Sequence, residues 1–280
     1  MLTCPSPVFT ARTLAEALAL RAEHPDAAPL AGGTDLMVAL EAGQAPAPAY
    51  LNLWGCRDLR QIEADGQGGL RLGALVTFRE LGQAQGLPAV LGEMSRTIGA
   101  AQIQARGTIG GNIANASPAG DSLPLWLALG ARVEVASVRG TRTVPSDSFF
   151  LGYRRVDLAP DELITAVLVP PWTTESGPDL HHYRKVGTRL AQAISKVVFA
   201  GALRIEGGLV SEARLAMGSV APIPTRLRTV EAAMLGRPVD PSVVERIPFD
   251  IKPIDDVRST AEYRLAVARS IVRAWLESLV

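Results

Sequence analysis

Two glycine pairs set the strongest constraint on this chain: Gly32-Gly33 within Ala31-Gly32-Gly33-Thr34-Asp35-Leu36, and Gly110-Gly111 within Thr108-Ile109-Gly110-Gly111-Asn112. Without a Cβ, paired glycines let backbone N–H groups approach an anion closely and take positive φ where a turn needs it. The first pair lies between the apolar Ala28-Pro29-Leu30-Ala31 and a helix predicted from Asp35 to Glu41. Its amides then point at a helix N-terminus, where the dipole favours negative charge, and a pyrophosphate suits that place. Neither pair fits G-x-G-x-x-G or G-x-x-x-x-G-K-S/T, which argues against an ordinary Rossmann site and a P-loop nucleotidase. A Gly-Gly dipeptide by itself marks a turn and no more.

With 280 residues, 48% hydrophobic and 20% charged, the chain can bury the cores of several packed units. Its 28 basic and 28 acidic residues balance, so no overall field recruits nucleic acid or an anionic membrane. The first residues lack a basic stretch followed by an apolar core, and no run of about 18 apolar residues occurs. A cytoplasmic protein without membrane insertion is expected. Cys4 and Cys56 are too few for an iron–sulfur cluster, which takes about four thiolates. A disulfide between them is open in principle, with two free thiols the cytosolic expectation. His24, His181 and His182 form no metal-binding spacing, and the adjacent pair in a predicted strand points to opposite faces.

Thr13-Leu14-Ala15-Glu16 is a capping-box pattern opening an alanine- and leucine-rich helix that ends before Pro25. After the Pro-rich stretch Ala45 to Pro48, a strand is predicted over Ala49-Tyr50-Leu51-Asn52-Leu53, completing a small α/β lobe. Further strands are predicted at Leu70 to Leu75, Arg132 to Ala136 and Leu163 to Val169, with a second capping box at Thr77-Phe78-Arg79-Glu80. The last of these strands does not alternate, so burial on both faces is expected. The glycine pairs thus belong to different lobes, and a ligand reaching both lies in the cleft between them. Pro170, Pro171 and the polar stretch Thr173 to Asp179 mark a boundary. Beyond it a hairpin is predicted from Ser195 to Ile205 and Leu209 to Ser219. A final helix follows, opened by Ser259-Thr260-Ala261-Glu262, whose stripe Leu265, Ala268, Val272, Trp275 and Leu279 reads as core.

From Asn112 to Leu129 a polar loop rich in small residues runs into an apolar helix, with Asp121 or Ser122 as cap and Pro124 in its first turn. Together with the glycine blocks, this stretch resembles the FAD-binding subunit of the molybdenum hydroxylases, the family of xanthine dehydrogenase and carbon monoxide dehydrogenase. Phe149-Phe150-Leu151-Gly152-Tyr153-Arg154, Asp161-Glu162-Leu163-Ile164, Lys185-Val186-Gly187-Thr188-Arg189 and Ser259-Thr260-Ala261-Glu262-Tyr263-Arg264 extend the resemblance across almost the whole chain.

The resemblance implies an α+β fold: a two-lobed, vanillyl-alcohol-oxidase-like (PCMH-type) FAD-binding domain over residues 1–172, with lobes about 1–55 and 56–172, and a smaller α+β C-terminal domain over 180–280. It implies FAD held non-covalently, since the motifs place no histidine or cysteine to form a flavin linkage. In family terms Leu30, Ala31, Gly32, Gly33, Thr34, Asp35, Leu36 and Met37 line the pyrophosphate. Thr108, Ile109, Gly110, Gly111 and Asn112 approach the diphosphate and the flavin side. Asp121 lies where the family holds a carboxylate against the adenosine portion, suited to ribose hydroxyls. Ile98 and Ile164 match apolar positions near the isoalloxazine, and Lys185 one that steadies negative charge there; Ile98 stands where some relatives place an aromatic ring. Read without the family, the isoleucines are core residues, Lys185 a solvated charge and Asp121 a helix cap. Tyr153, Arg154 and Arg264 are candidates for the cofactor or a subunit surface, and equally for packing.

The function so implied is an FAD-carrying electron-transfer subunit of a molybdenum hydroxylase. No side chain of this chain need be catalytic, because the flavin is the reactive group. Molybdopterin and 2Fe–2S clusters are expected only on partners, a molybdopterin subunit and an iron–sulfur subunit, with NAD+, oxygen or a quinone as acceptor. The Phe149 to Arg154 block with Asp161-Glu162 looks closer to xanthine dehydrogenases than to the carbon monoxide enzymes. Two other readings stay open. One is a free-standing flavin reductase or oxidase of the same fold, marked by a protonating side chain over the flavin. The other is a non-catalytic nucleotide-binding subunit, which bleaching of a bound yellow chromophore by NADH would exclude.

Overall fold

The strand Leu163–Val169 has no polar face, and all its residues but Leu168 are buried. It therefore takes the centre of a five-stranded antiparallel sheet. Leu70–Gly73 and then Ile62–Ala64 lie on one side of it, Arg132–Ser137 and Gly140–Pro145 on the other. The computed structural model describes residues 6–44, 47–171 and 180–280. Cys4, part of the Pro-rich stretch and the expected boundary at Thr173 to Asp179 lie outside them.

In the first lobe, Tyr50–Asn52 is the middle strand, paired in parallel with Val8–Thr10 and Ala28–Leu30. Parallel neighbours need a crossover: the helix Leu36–Glu41 lies in the one from Ala28–Leu30 to Tyr50–Asn52, and the helix Leu14–Glu23 links the two outer strands. Thr13 caps that helix, its Oγ1 accepting from Glu16 N at 3.2 Å, but Glu16 turns back to Arg12 N rather than to Thr13. The expected capping box is half formed there, whereas the one at Thr77 and Glu80 is complete. The lobe is too small to close its own core: Leu75 and Leu163 of the second lobe pack among Ala11, Ala17, Leu51 and Leu59. Cys56 is buried in the same cluster as a free thiol, pushed up to about 11 by that burial.

The second lobe carries short helices against its sheet. The most apolar, Leu123–Ala128, is buried along its whole length and has Pro124 in the first turn, where a missing N–H costs nothing. A register shift between Ile164 and Ala166 marks a bulge in the central strand. Beside it the Thr165 carbonyl accepts from Ala74 N at 2.9 Å, and the Ala74 carbonyl in turn accepts from Gly110 N at 2.8 Å. The sheet thus fixes where the second glycine pair sits.

Beyond residue 180, a four-stranded antiparallel sheet runs in the order Leu180–Val186, Val197–Glu206, Leu209–Gly218, Thr225–Arg226. The expected hairpin closes through Gly207 and Gly208, both at positive φ as a tight hairpin turn requires. The helix Ala261–Glu277 buries Ala268, Val272, Trp275 and Leu276 against this sheet, so the predicted stripe is core, with Leu265 and Leu279 at its edges. No helix among the described residues is long and apolar enough to cross a membrane.

Candidate functional site

The first glycine pair behaves as its sequence predicts. Gly33 has φ +75°, and a Cβ on Gly32 would lie 1.7 Å from the Arg106 carbonyl oxygen, so both positions demand glycine for different reasons. Arg106 donates from Nε to the Gly32 carbonyl at 3.3 Å, and its guanidinium lies 3.7 Å above the Trp54 ring, which holds the loop from behind. Among the described residues, the amides of Gly32, Gly33, Thr34 and Asp35 have no hydrogen-bond partner. Successive open amides ahead of the helix Leu36–Glu41 form an anion-binding concavity.

The second pair differs from expectation. Gly110 and Gly111 are not a turn but the first turn of the helix Ile109–Asn115, capped by Thr108. Their amides are already used: Ile109 N donates to the Val76 carbonyl at 3.0 Å, Gly110 N to Ala74 and Gly111 N to Thr108 Oγ1 at 3.1 Å. Glycine is needed at 110 for packing, because a Cβ there would meet Ala74 Cβ at 2.7 Å. This segment supplies a close wall rather than a second set of open amides.

Both segments face one cleft of about 1800 Å3 between the lobes and the C-terminal domain, larger than the about 300–1,000 Å3 of an ordinary small-molecule pocket. Leu30, Ala31, Gly32, Gly33, Thr34, Asp35, Leu36, Ile98, Thr108, Gly110, Gly111, Asn112, Asp121 and Ile164 all line it. Met37, Ile109 and Lys185 do not. Met37, the second residue of its helix, is 54% exposed, and Ile109 is wholly buried in the core below the helix start.

Lys185 stands behind the wall. Its Nζ lies 2.7 Å from Asp121 Oδ2 and donates to the Thr97 carbonyl at 2.9 Å, with only 6% of its side chain exposed. It is neither a solvated surface charge nor a direct lining group. Tyr183, two residues earlier on the same strand, donates to the Asp121 carbonyl at 3.0 Å and lies 3.2 Å from Thr97 Oγ1. Burial pushes the Asp121 carboxyl up from its ordinary value, opposed by the Lys185 ammonium. Asp121 Oδ1 is buried without a hydrogen-bond partner, although Asp121 borders the cleft. An orphaned acceptor of this kind calls for a donor from a ligand. The sequence assigned Asp121 to the adenosine and Lys185 to the flavin; the structure joins them in one ion pair at one end of the cleft. That end borders the C-terminal domain, where Gln192 N also donates to the Gly99 carbonyl beside Ile98 at 2.9 Å. Ile98 and Ile164 both line this cleft and belong to one buried apolar cluster.

Of the remaining blocks, Tyr153 and Arg154 form a turn at the cleft margin; Arg154 has φ +51° and donates to Asn115 Oδ1 at 3.0 Å. Glu162 is taken by Arg142, at 2.8 and 2.7 Å, and Asp161 by Arg139. Arg264 is buried and donates to the carbonyls of Lys196 and Ser219 and to Asp256 Oδ1, at 2.7, 2.8 and 2.8 Å. It anchors the segment that brings Lys252, Ile254 and Arg258 to the cleft. Sequence reasoning missed Tyr183, Thr97 and that segment, since no motif links positions so distant in the chain.

An open run of amides and a buried acid border one long cleft between two lobes, which gives an extended phosphate-bearing ligand both room and donors. The family described as FAD binding domain in molybdopterin dehydrogenase matches residues 4–172, and the family described as CO dehydrogenase flavoprotein C-terminal domain matches residues 181–279. The chain belongs to this family of molybdenum hydroxylase FAD subunits, and is an oxidoreductase subunit. It is 32% identical to the xanthine dehydrogenase FAD-binding subunit of Escherichia coli O157:H7, over 96% of this chain and 94% of that one. It is 28% identical to the carbon monoxide dehydrogenase medium chain of Hydrogenophaga pseudoflava, over 95% and 94%. A solved structure of that organism's carbon monoxide dehydrogenase superposes with a TM-score of 0.90 at 29% identity, covering 99% of this chain and 98% of that one. The expected two-lobed FAD-binding domain with a smaller C-terminal domain is thus the observed class. FAD fits the cleft on three counts: its size, the open amides for phosphates, and the orphaned Asp121 oxygen.

Proposed function

We propose that this chain is the electron-transfer subunit of a molybdenum hydroxylase complex, receiving electrons from an iron–sulfur subunit served by a molybdopterin subunit. When bound, FAD supplies a carrier that exchanges both single electrons and pairs, which side chains cannot do. The amides of Gly32 to Asp35 would hold the pyrophosphate, without side-chain charge. Leu30, Leu53, Leu158 and Pro160 would give the adenosine an apolar wall at the lobe junction, and Ile98 and Asp121 would hold the isoalloxazine at the C-terminal-domain end. There Asp121 Oδ1 would accept a hydrogen bond from the bound group, while Lys185 holds the carboxylate in place.

The observation that carries this reading against a free-standing reductase is the state of the cleft's acids. Asp121, Glu162 and Asp256 are each committed to a cation, Lys185, Arg142 and Arg264 respectively. Asp35 is exposed on the pyrophosphate loop. None is poised to protonate a substrate over the ring. The 32% identity to a xanthine dehydrogenase subunit supports a xanthine dehydrogenase-like complex over a carbon monoxide-oxidising one, with NAD+, oxygen or a quinone as acceptor. The test is titration of the flavin-free chain with FAD by fluorescence. One equivalent should bind, and acid precipitation should release it unaltered. A chain that binds no FAD overturns the reading.

A further inference from the structure

The helix Leu14–Glu23 places one cation at the lobe-junction end of the cleft, and neither the glycine motifs nor the family blocks include it. Arg21 borders the cleft beside Pro29 and Leu30, which lead directly into the pyrophosphate loop, and Leu53. Among the described residues its guanidinium makes one hydrogen bond, from Nη1 to the Ala27 carbonyl at 2.5 Å. Its Nε is buried without a partner. Among the described residues no carboxylate forms an ion pair with it: Asp161 and Asp26 attract it from farther off, and Asp161 is taken by Arg139. A half-buried guanidinium with spare donors at the cleft wall is costly unless a ligand meets it.

Resting on the assignment of the cleft to FAD, we propose that Arg21 recognises the adenine of the dinucleotide. A purine suits this position on two grounds. One ring nitrogen accepts a single guanidinium N–H, or, in the alternative pose, the ring's face stacks on a guanidinium more favourably than on an ammonium. The pyrophosphate is already served by the Gly32 to Asp35 amides, so Arg21 acts beyond it, on the half of FAD that FMN lacks. This makes Arg21 a determinant of dinucleotide over mononucleotide.

The experiment is a comparison of FAD, FMN and ADP binding to the full chain and to Arg21→Ala and Arg21→Lys. FAD and FMN are followed by flavin fluorescence, and ADP by displacement of FAD. Arg21→Ala should weaken FAD and ADP about tenfold, equivalent to about 1.4 kcal/mol, and leave FMN unchanged. Arg21→Lys, which keeps the charge but loses the planar fork, should fall between. Unchanged FMN binding also shows that the variant is folded; if the alanine variant does not fold, the lysine variant carries the comparison. Unaltered FAD affinity in both variants would overturn the proposal, as would an equal loss for FMN, which would move Arg21 to the phosphate. Failure of the unsubstituted chain to bind FAD would instead remove the cleft assignment on which it stands.

Discussion

Lys185 Nζ and Asp121 Oδ2, 2.7 Å apart, form a buried ion pair that ties the first strand of the C-terminal sheet to the loop entering the helix Leu123–Ala128. Removing one partner of such a pair strands the other charge out of water, which costs about 3–5 kcal/mol. Lys185→Met should therefore destabilise the flavin-free chain by that order in chemical unfolding. The double variant Lys185→Met with Asp121→Asn should lose less than the sum of the single losses, because the two positions are directly coupled. Additive losses would show that the pair does not exist in solution.

The two glycine pairs should respond differently to substitution. Gly33→Ala places a Cβ on a left-handed residue, at about 1–2 kcal/mol, and displaces amides that have no other partner. Its main effect should be on FAD affinity, by flavin fluorescence, with a small change in Tm. Gly110→Val meets Ala74 at the core and should lower Tm sharply before any question of binding arises. Equal effects of the two on stability would contradict their distinct roles.

Arg142 gives a pH signature. Hydrogen bonds from its guanidinium hold the Glu162 carboxyl below its ordinary range, against the opposing effect of desolvation. A lowered acid stabilises the fold fully above its unfolded value, and that contribution is lost as pH falls through the folded one. Glu162→Gln should therefore narrow the stability difference between neutral and acid pH, measured by unfolding from neutrality down through the carboxylate range. An unchanged pH profile would remove the pair from the acid response.

Much of this was legible in the sequence because the signals were local. The central strand declared itself by lacking a polar face, the hairpin by its glycine turn, and the last helix by its stripe and Thr260 cap. The site was read less completely. Gly110-Gly111 looks like Gly32-Gly33 in sequence, yet its amides go to the Ala74 carbonyl and to the Thr108 cap, partners that no local pattern declares. Lys185 and Asp121 come together only when the third sheet packs on the second lobe. Arg21 sits in an ordinary helical pattern and carries no signal until the cleft forms around it.

Arg264 illustrates the same limit. The block Ser259 to Arg264 was readable as a motif, but its purpose is to gather two carbonyls and Asp256 around one buried guanidinium. Arg264→Met should destabilise the fold, because it leaves the Lys196 and Ser219 carbonyls without their guanidinium donor, while Asp256 keeps Arg258. Limited proteolysis should then cut the segment around Ile254, which is exposed beside the cleft. Resistance equal to that of the unsubstituted chain would show that the segment is held by other contacts.

Turnover measured side by side tests the central claim most directly. The FAD-loaded chain is assayed alone and after reconstitution with iron–sulfur and molybdopterin subunits, using xanthine, an aldehyde and carbon monoxide with an added acceptor. We expect no substrate oxidation by the chain alone and substrate-dependent reduction of the acceptor by the complex. Oxidation of any of these substrates by the isolated chain would contradict an electron-transfer role and identify a free-standing flavoenzyme.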